Sequence, residues 1–437
     1  MFKKFLALGF SIVALSTAAP VFAQDLPYSE WALEELQQIN YYGIYPLEWI
    51  TSNEFKATIT KNKFETLINN VDNKLLQLGF EQIEGFEFEL NDGSITKENL
   101  LHSLYQLIEQ YHVDDYKDGV DYFVENGLIL GSNGDLKLDE VPTTQEAVIL
   151  AGRFVEHVFN EYDKAAKGFA WEVQHEDNTV YLLGSIHAGI DAMYPLNAQL
   201  MEAYNSSDFL AVEANIFEVD DMEWATEYTN LPDGTTIDEY VSAETYDKLI
   251  DAAALLGLSI EDIETFSPLN LATVFEYFTI YSYTQADDMY GIDVHFLERA
   301  ISVDNKPIIE LEGAQRQIEC LYSMSAELME TYLAEALELF LNPQDNMDNV
   351  MSVMDYMNHF IAGDSQAMKV YDIDDGEFKD VLLTKRDEDM TIKISDFLEQ
   401  DGENTYFVVV GAFHYCLDGG IVDRLEDMGY EVTPFYE

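Results

Sequence analysis

Cysteine is nearly absent: Cys320 and Cys416 are the only two in 437 residues. That is too few for a scaffold built on disulfides, and it leaves one bridge or two buried thiols open. Basic residues are scarce as well, 22 against 83 acidic ones, for a formal charge of -61. Such a surface repels nucleic acid and anionic lipid, so both are excluded as partners. The acidity runs along the whole chain without gathering in one tail, which reads as solvation in a salty or alkaline medium. No run of about 18 apolar residues occurs, so no transmembrane anchor is expected. Disorder is a poor reading too, because 48% hydrophobic and 13% aromatic residues supply large cores.

What is present begins with Met1-Phe2-Lys3-Lys4, an apolar stretch from Phe5 to about Leu15, and Val21-Phe22-Ala23 among small residues. This is the layout of a secretory signal peptide over 1–23, so a secreted or cell-surface protein is expected. From 25 to 167 the pattern is helical, with short amphipathic runs broken at Gly43 and around Asp92-Gly93. Ile59-Thr60-Lys61, Ile95-Thr96-Lys97 and Val141-Pro142-Thr143-Thr144 each set a threonine ahead of an apolar helix, where an N-cap belongs, with starts 36 and 46 residues apart. With Trp31-Ala32 and Tyr122-Phe123-Val124-Glu125-Asn126-Gly127, these segments resemble degenerate S-layer homology repeats. The resemblance implies a wall-attached protein of a Gram-positive bacterium with cell-wall polymer as partner. The arginine of that signature is replaced by Lys61, Lys97 and Thr144, so a plain helical accessory domain stands beside the wall-binding reading.

From 168 to 437 apolar strand-like runs alternate with helical segments, the texture of an α/β fold. The fold class is therefore α/β: a mixed domain with a central sheet and a long helical insertion, preceded by a small all-helical domain. Thr179–Leu183 runs into Gly184-Ser185-Ile186-His187, Phe209–Val212 into Glu213, and Tyr406–Val410 into Gly411-Ala412-Phe413-His414. Long helices fill roughly 243–290 and 315–362.

Ligands of an open α/β sheet gather beyond the carboxyl ends of its strands. All three runs deliver a coordinating residue there, and two share a Gly-x-x-His device in a chain with only eight histidines. Two imidazoles and a carboxylate suit manganese, cobalt, zinc or iron with positions left for water and substrate. His187, Glu213 and His414 are thus the expected metal ligands. Asp293 and His295, two apart on what reads as an extended segment, are further candidates as ligands or as groups that orient them, beside the favoured reading of a buried structural pair. Arg299, Arg316 and Arg424 read as charge balance, and Cys416 as a small buried residue beside a strand end.

Tyr181–His187, Val212-Glu213-Ala214, Gly291–Phe296, Ile308–Gly313 with Gln315 and Gln317, and Val410–His414 followed by Gly419–Leu425 and Gly429–Val432 occur in the order found in the TraB/GumN (TIKI-like) family, which this chain resembles over about 168–437. The resemblance implies a metal-dependent hydrolase of the metallopeptidase kind acting on a peptide or protein. It carries a catalytic role onto His187, Glu213 and His414, and it points to Glu312 as the free carboxylate that orients or deprotonates water. Tyr415-Cys416-Leu417-Asp418 departs from the family pattern and is expected to change a pocket wall. Two rival readings are a non-enzymatic metal- or haem-binding surface protein and a wall-associated scaffold.

Overall fold

The computed structural model describes residues 27–436 apart from 52–53, 87, 89–94, 112–115, 132–133, 218–222, 372 and 374–375. The leader read at 1–23 and the loop at Asp92-Gly93 lie outside the described residues. Among those described, no helix is long and apolar enough to cross a membrane. The described chain divides into two compact units, one reaching Ala166 and taking in Asp191–Ala198, the other formed by Lys167–Ile190 and the residues from Gln199 on.

The first unit is helical: α1 (Leu33–Ile39), α2 (Lys61–Leu75), α3 (Lys97–Glu109), α4 (Gly119–Glu125) and α5 (Thr144–Glu161). Thr60, Thr96 and Thr143 cap α2, α3 and α5, each accepting from the N–H three residues on, and Thr143 forms a full capping box with Glu146. Phe64, Leu67, Ile68 and Val71 of α2 face inward with Leu100, Leu104 and Ile108 of α3 and Val148, Ala151, Phe154 and Val155 of α5, the spacing of one helical face. Lys61, Lys97 and Thr144, the positions compared with the repeat arginine in the sequence, have partners or burial within the unit. Lys61 pairs with Glu65, Lys97 pairs with Glu146, and Thr144 is buried. Asp191–Ala198 joins this unit through Lys74 Nζ on the Asp191 carbonyl at 2.6 Å and the Ala198 N–H on Asn160 Oδ1 at 2.7 Å, with Tyr194 buried on Tyr41. Its local pattern carries no sign of that tertiary choice.

The second unit is mixed α/β, as its alternation of runs predicts. Its strands are β1 (Phe169–His175), β2 (Asn178–Ser185), β3 (Phe209–Val212), β4 (Ile308–Glu310), β5 (Thr405–Gly411) and β6 (Val432–Pro434), in the order β4-β3-β5-β2-β1-β6. The four strands from β4 to β2 run parallel, and β1 and β6 are antiparallel additions. Strand β5 is one of the two central strands of this parallel set, between β3 and β2, and is buried from Tyr406 to Gly411. That explains why it reads as an unbroken apolar run without alternation.

Each of the two long helical stretches is cut into shorter helices. The first contains α6 (Ala243–Leu255) and α7 (Pro268–Thr284), and α8 (Ile292–Arg299) follows it; the second holds α9 (Ala314–Leu321), α10 (Ala326–Leu341) and α11 (Met347–Ala362). Ser267 caps α7 ahead of Pro268, and Ser325 caps α10, so the breaks follow cap and proline chemistry. After them come α12 (Lys385–Leu398), α13 (Phe413–Cys416) and α14 (Ile421–Asp427).

Helix α7 packs along α10 and buries Glu276, whose Oε1 has no hydrogen-bond partner among the described residues. Burial raises this carboxyl well above its usual 4.5. The folded protein therefore keeps a proton that the unfolded chain releases near that value, so stability is lost as pH rises above it. Glu276→Leu is expected to raise stability by about 1–3 kcal/mol near pH 8, with a smaller gain at pH 4. Urea unfolding at the two pH values checks this, and a destabilised variant at pH 8 would contradict it.

Candidate functional site

The four parallel strands end on one side of the sheet, and each hands on a polar residue: His187 after β2, Glu213 after β3, Glu312 after β4 and His414 after β5. The β4 end wraps that of β3, with the N–H groups of Glu312 and Gly313 both on the Glu213 carbonyl at 2.9 Å. Glu310 takes a different part, accepting the Asn215 N–H at 2.7 Å and so fixing the loop beyond β3.

Gly411 is where the side chains meet. A Cβ there would stand 3.1 Å from Glu213 Oε1, 3.4 Å from His187 Nε2 and 3.6 Å from His414 Cδ2. Its N–H donates to Glu213 Oε1 at 2.5 Å, so the glycine both holds the carboxylate and leaves the room in front of it. Gly411→Ala is expected to keep the strand but press on Glu213 and His187, lowering the hydrolysis proposed below by about tenfold or more with little change in melting temperature. Hydrolysis equal to that of the unaltered protein would mean that the space is not used.

Both histidines are tied through Nδ1 to an aspartate, His187 to half-buried Asp293 and His414 to buried Asp387. His187 meets Asp293 Oδ2 at 2.9 Å, and His414 meets Asp387 Oδ1 at 2.5 Å. This arrangement sets ring orientation and leaves each Nε2 facing the site. Asp293 arrives on the first turn of α8, docked by the Ile292 N–H on the Ile186 carbonyl at 2.9 Å. A side chain at Gly291 would collide with the carbonyl of His187, so close docking depends on that glycine. The segment is helical, not extended, and the expectation that Asp293 and His295 face one side falls with it. Residues two apart on a helix diverge, and His295 is buried next to Phe296, where burial and then Arg299 lower its pKa to about 3.

Glu213 and Glu312 share one cation, Arg386. Its Nε lies 3.1 and 2.9 Å from the two Glu312 oxygens, and Nη2 lies 2.6 Å from Glu312 Oε2 and 2.6 Å from Glu213 Oε2. Nη1 is on the Leu382 carbonyl at 3.1 Å, and Gln317 adds a bond to Glu213 Oε2 at 3.1 Å. Burial alone would raise the Glu213 carboxyl, but Arg386, His414 and His187 hold it down to about 2. Burial would likewise lower the His187 pKa, yet the Asp293 carboxylate raises it to about 9. For Asp387 burial is the larger influence, and its carboxyl is raised in spite of His414 and Arg386.

The TraB/PrgY/gumN family matches residues 169–434, which contain every residue of this centre. The chain belongs to the TraB/PrgY/gumN family. It is 27% identical over 257 residues to the uncharacterized protein YbaP of Escherichia coli strain K12 and to YbaP of Shigella flexneri, covering 56% of this chain and 87% of each relative. No solved structure matches. The family match begins after the helical unit's long α5, so that unit lies outside it apart from Asp191–Ala198.

The donors of the family centre do not fit the metal set expected from spacing. Among the described residues, no group of three His, Cys, Asp or Glu side chains is arranged to hold a metal ion. Glu213 is already engaged elsewhere: Oε2 accepts from Arg386 and Gln317, and Oε1 from Gly411. Nor is Glu312 the free carboxylate that the resemblance implied, since both its oxygens are on Arg386.

Arg386 and Asp387 escaped the sequence reading. They open α12 inside Lys385-Arg386-Asp387-Glu388-Asp389, a charge run that reads as solvated surface. The available signal was rarity, because the chain has only five arginines. Of those singled out by sequence, Arg299 pairs with Asp304, Arg316 pairs with Asp389 on the surface, and Arg424 donates to the Gly419 and Thr384 carbonyls. Both cysteines are free thiols, with Cys416 buried and its thiol pushed up by burial. Tyr415, at the departure from the family pattern, is buried against Trp171.

Proposed function

We propose that the family domain is a hydrolase that splits a peptide or related acyl bond, acting outside the cell membrane as the leader-like start of the sequence suggests. The observation that carries this reading is the pair of aspartate-backed histidines, delivered by β2 and β5 to the two sides of one gap at Gly411.

His414, its Nδ1 proton held by Asp387, presents Nε2 as the base that takes a proton from water while the water oxygen bonds to the acyl carbon. His187, which keeps its proton to about pH 9 through Asp293, gives that proton to the leaving nitrogen or oxygen as the acyl bond breaks. Arg386 keeps Glu213 and Glu312 fixed behind the gap. Buried polar atoms without a partner among the described residues cluster on these same elements: Ser185 Oγ, Asn215 Nδ2, Asp293 Oδ1 and Tyr415 Oη. Ser185 stands opposite Gly411 in the β2–β5 register, so its side chain shares the face of the gap. Substrate and water would satisfy such groups, which otherwise cost about 1–3 kcal/mol each.

The direct test is a screen of the full chain against quenched fluorescent peptides and nitrophenyl acyl esters. Turnover by the unaltered protein that disappears in His187→Gln and His414→Gln is the expected result; turnover untouched in both variants would end the proposal. Asp293→Asn adds a check on the acid. Without the aspartate charge His187 releases its proton at lower pH, so the alkaline limb of the pH–rate profile should move from about 9 toward neutrality. An unmoved limb would remove His187 from that role.

A further inference from the structure

We infer that Arg386 is the resident cation of the centre, occupying by charge and by hydrogen bonds the place that a divalent metal would need. The inference rests on the same centre as the hydrolase reading, but its test requires no turnover.

Among the described residues Glu213 is the carboxylate beside the imidazole Nε2 atoms, with Oε1 3.9 Å from His414 Nε2 and close to His187 across Gly411. A metal held by the two histidines would need its free lone pairs. Those of Oε2 go to Arg386 at 2.6 Å and Gln317 at 3.1 Å, and one of Oε1 goes to the Gly411 N–H. The next acid, Glu312, is bound to the guanidinium through both oxygens, and its side chain is 2% exposed, as is that of Arg386. A divalent ion drawn to Glu213 would therefore meet a desolvated guanidinium, which repels it and does not deprotonate. The fork of Arg386 matches two carboxylates at once, a geometry that a lysine ammonium does not reproduce. Asp293 Oδ2 and Asp387 Oδ1 are on the Nδ1 atoms, the ring nitrogens opposite the Nε2 atoms that a metal would take, and there they serve the histidines.

The test is calorimetric titration of the chelator-treated full chain with Mn2+, Co2+ and Zn2+, together with elemental analysis of the protein as purified. The His187→Gln/His414→Gln double variant measures binding by the acidic surface. Expected is a wild-type isotherm that matches the double variant's, with less than about a tenth of an equivalent of metal retained on purification. Arg386→Met frees Glu213 and Glu312 and should gain a one-to-one site at least about tenfold tighter than any in the wild type. One ion per wild-type chain, lost in the double variant, would overturn the inference, and a folded Arg386→Met that gains no site would overturn the role given to Arg386. The wild-type arm decides the metal question even if that variant does not fold. Hydrolysis abolished by a chelator and restored by an ion would also overturn the inference while leaving the hydrolase reading intact. Absence of hydrolysis with every ion tried would end the hydrolase reading and leave the binding result standing.

Discussion

Arg386→Met should lower stability by about 3–5 kcal/mol at pH 7, and the deficit should shrink as the pH is brought toward 4. In the unaltered protein Glu213 is held at about 2, so its share of the stability is present above the usual 4.5 and is lost as pH falls through about 2. Without the guanidinium, two buried carboxylates face each other uncompensated, and burial favours their protonated forms. The folded variant then keeps a proton that the unfolded chain releases near 4.5, which makes its stability fall as pH rises. The contribution of this centre to stability thus acquires pH slopes of opposite sign in the two proteins. Urea unfolding at pH 4, 5.5 and 7 reads both slopes. An equal deficit at all three would show that Arg386 acts by filling space and not by its charge.

The second large effect concerns His414, the base of the proposed hydrolysis. His414→Gln removes the Nε2 acceptor and should reduce hydrolysis by about 10²–10⁴-fold. Asp387→Asn should approach that loss while keeping the shape of the site, because an amide no longer fixes the Nδ1 proton of His414. The two residues act as one unit, so the double variant should be hardly worse than His414→Gln alone. Multiplicative losses would show that Asp387 serves something other than His414. Small changes in unfolding midpoint in all three variants would separate these effects from misfolding.

Local signals carried a good deal of this centre. The runs at Thr179–Leu183, Phe209–Val212 and Tyr406–Val410 form β2, β3 and β5, because a strand buried on both faces must be apolar throughout. His187, Glu213 and His414 stand beyond their ends, since the carboxyl end of a parallel strand is where the chain leaves the sheet. The caps at Thr60, Thr96 and Thr143 were equally legible, a threonine before an apolar helix being a local event. Gly291–Phe296 was misread because six residues of apolar and polar alternation suit either a strand or one turn and a half of helix.

The partners of the site residues could not be read in the same way. Glu213 is 173 residues from Arg386, and His187 is 106 from Asp293. No periodicity connects such pairs, and in a chain this acidic one more carboxylate or one charge run carries little information. By itself the sequence determined the α/β class of the family domain, the strands and the two histidines and glutamate at their ends, because burial and backbone geometry act over a few residues. Only the tertiary structure decided that Arg386 takes Glu213 and Glu312 together and that each histidine has its own aspartate. A buried charge accepts whichever opposite charge the fold brings within about 3 Å, and the fold, unlike the local pattern, settles which one that is.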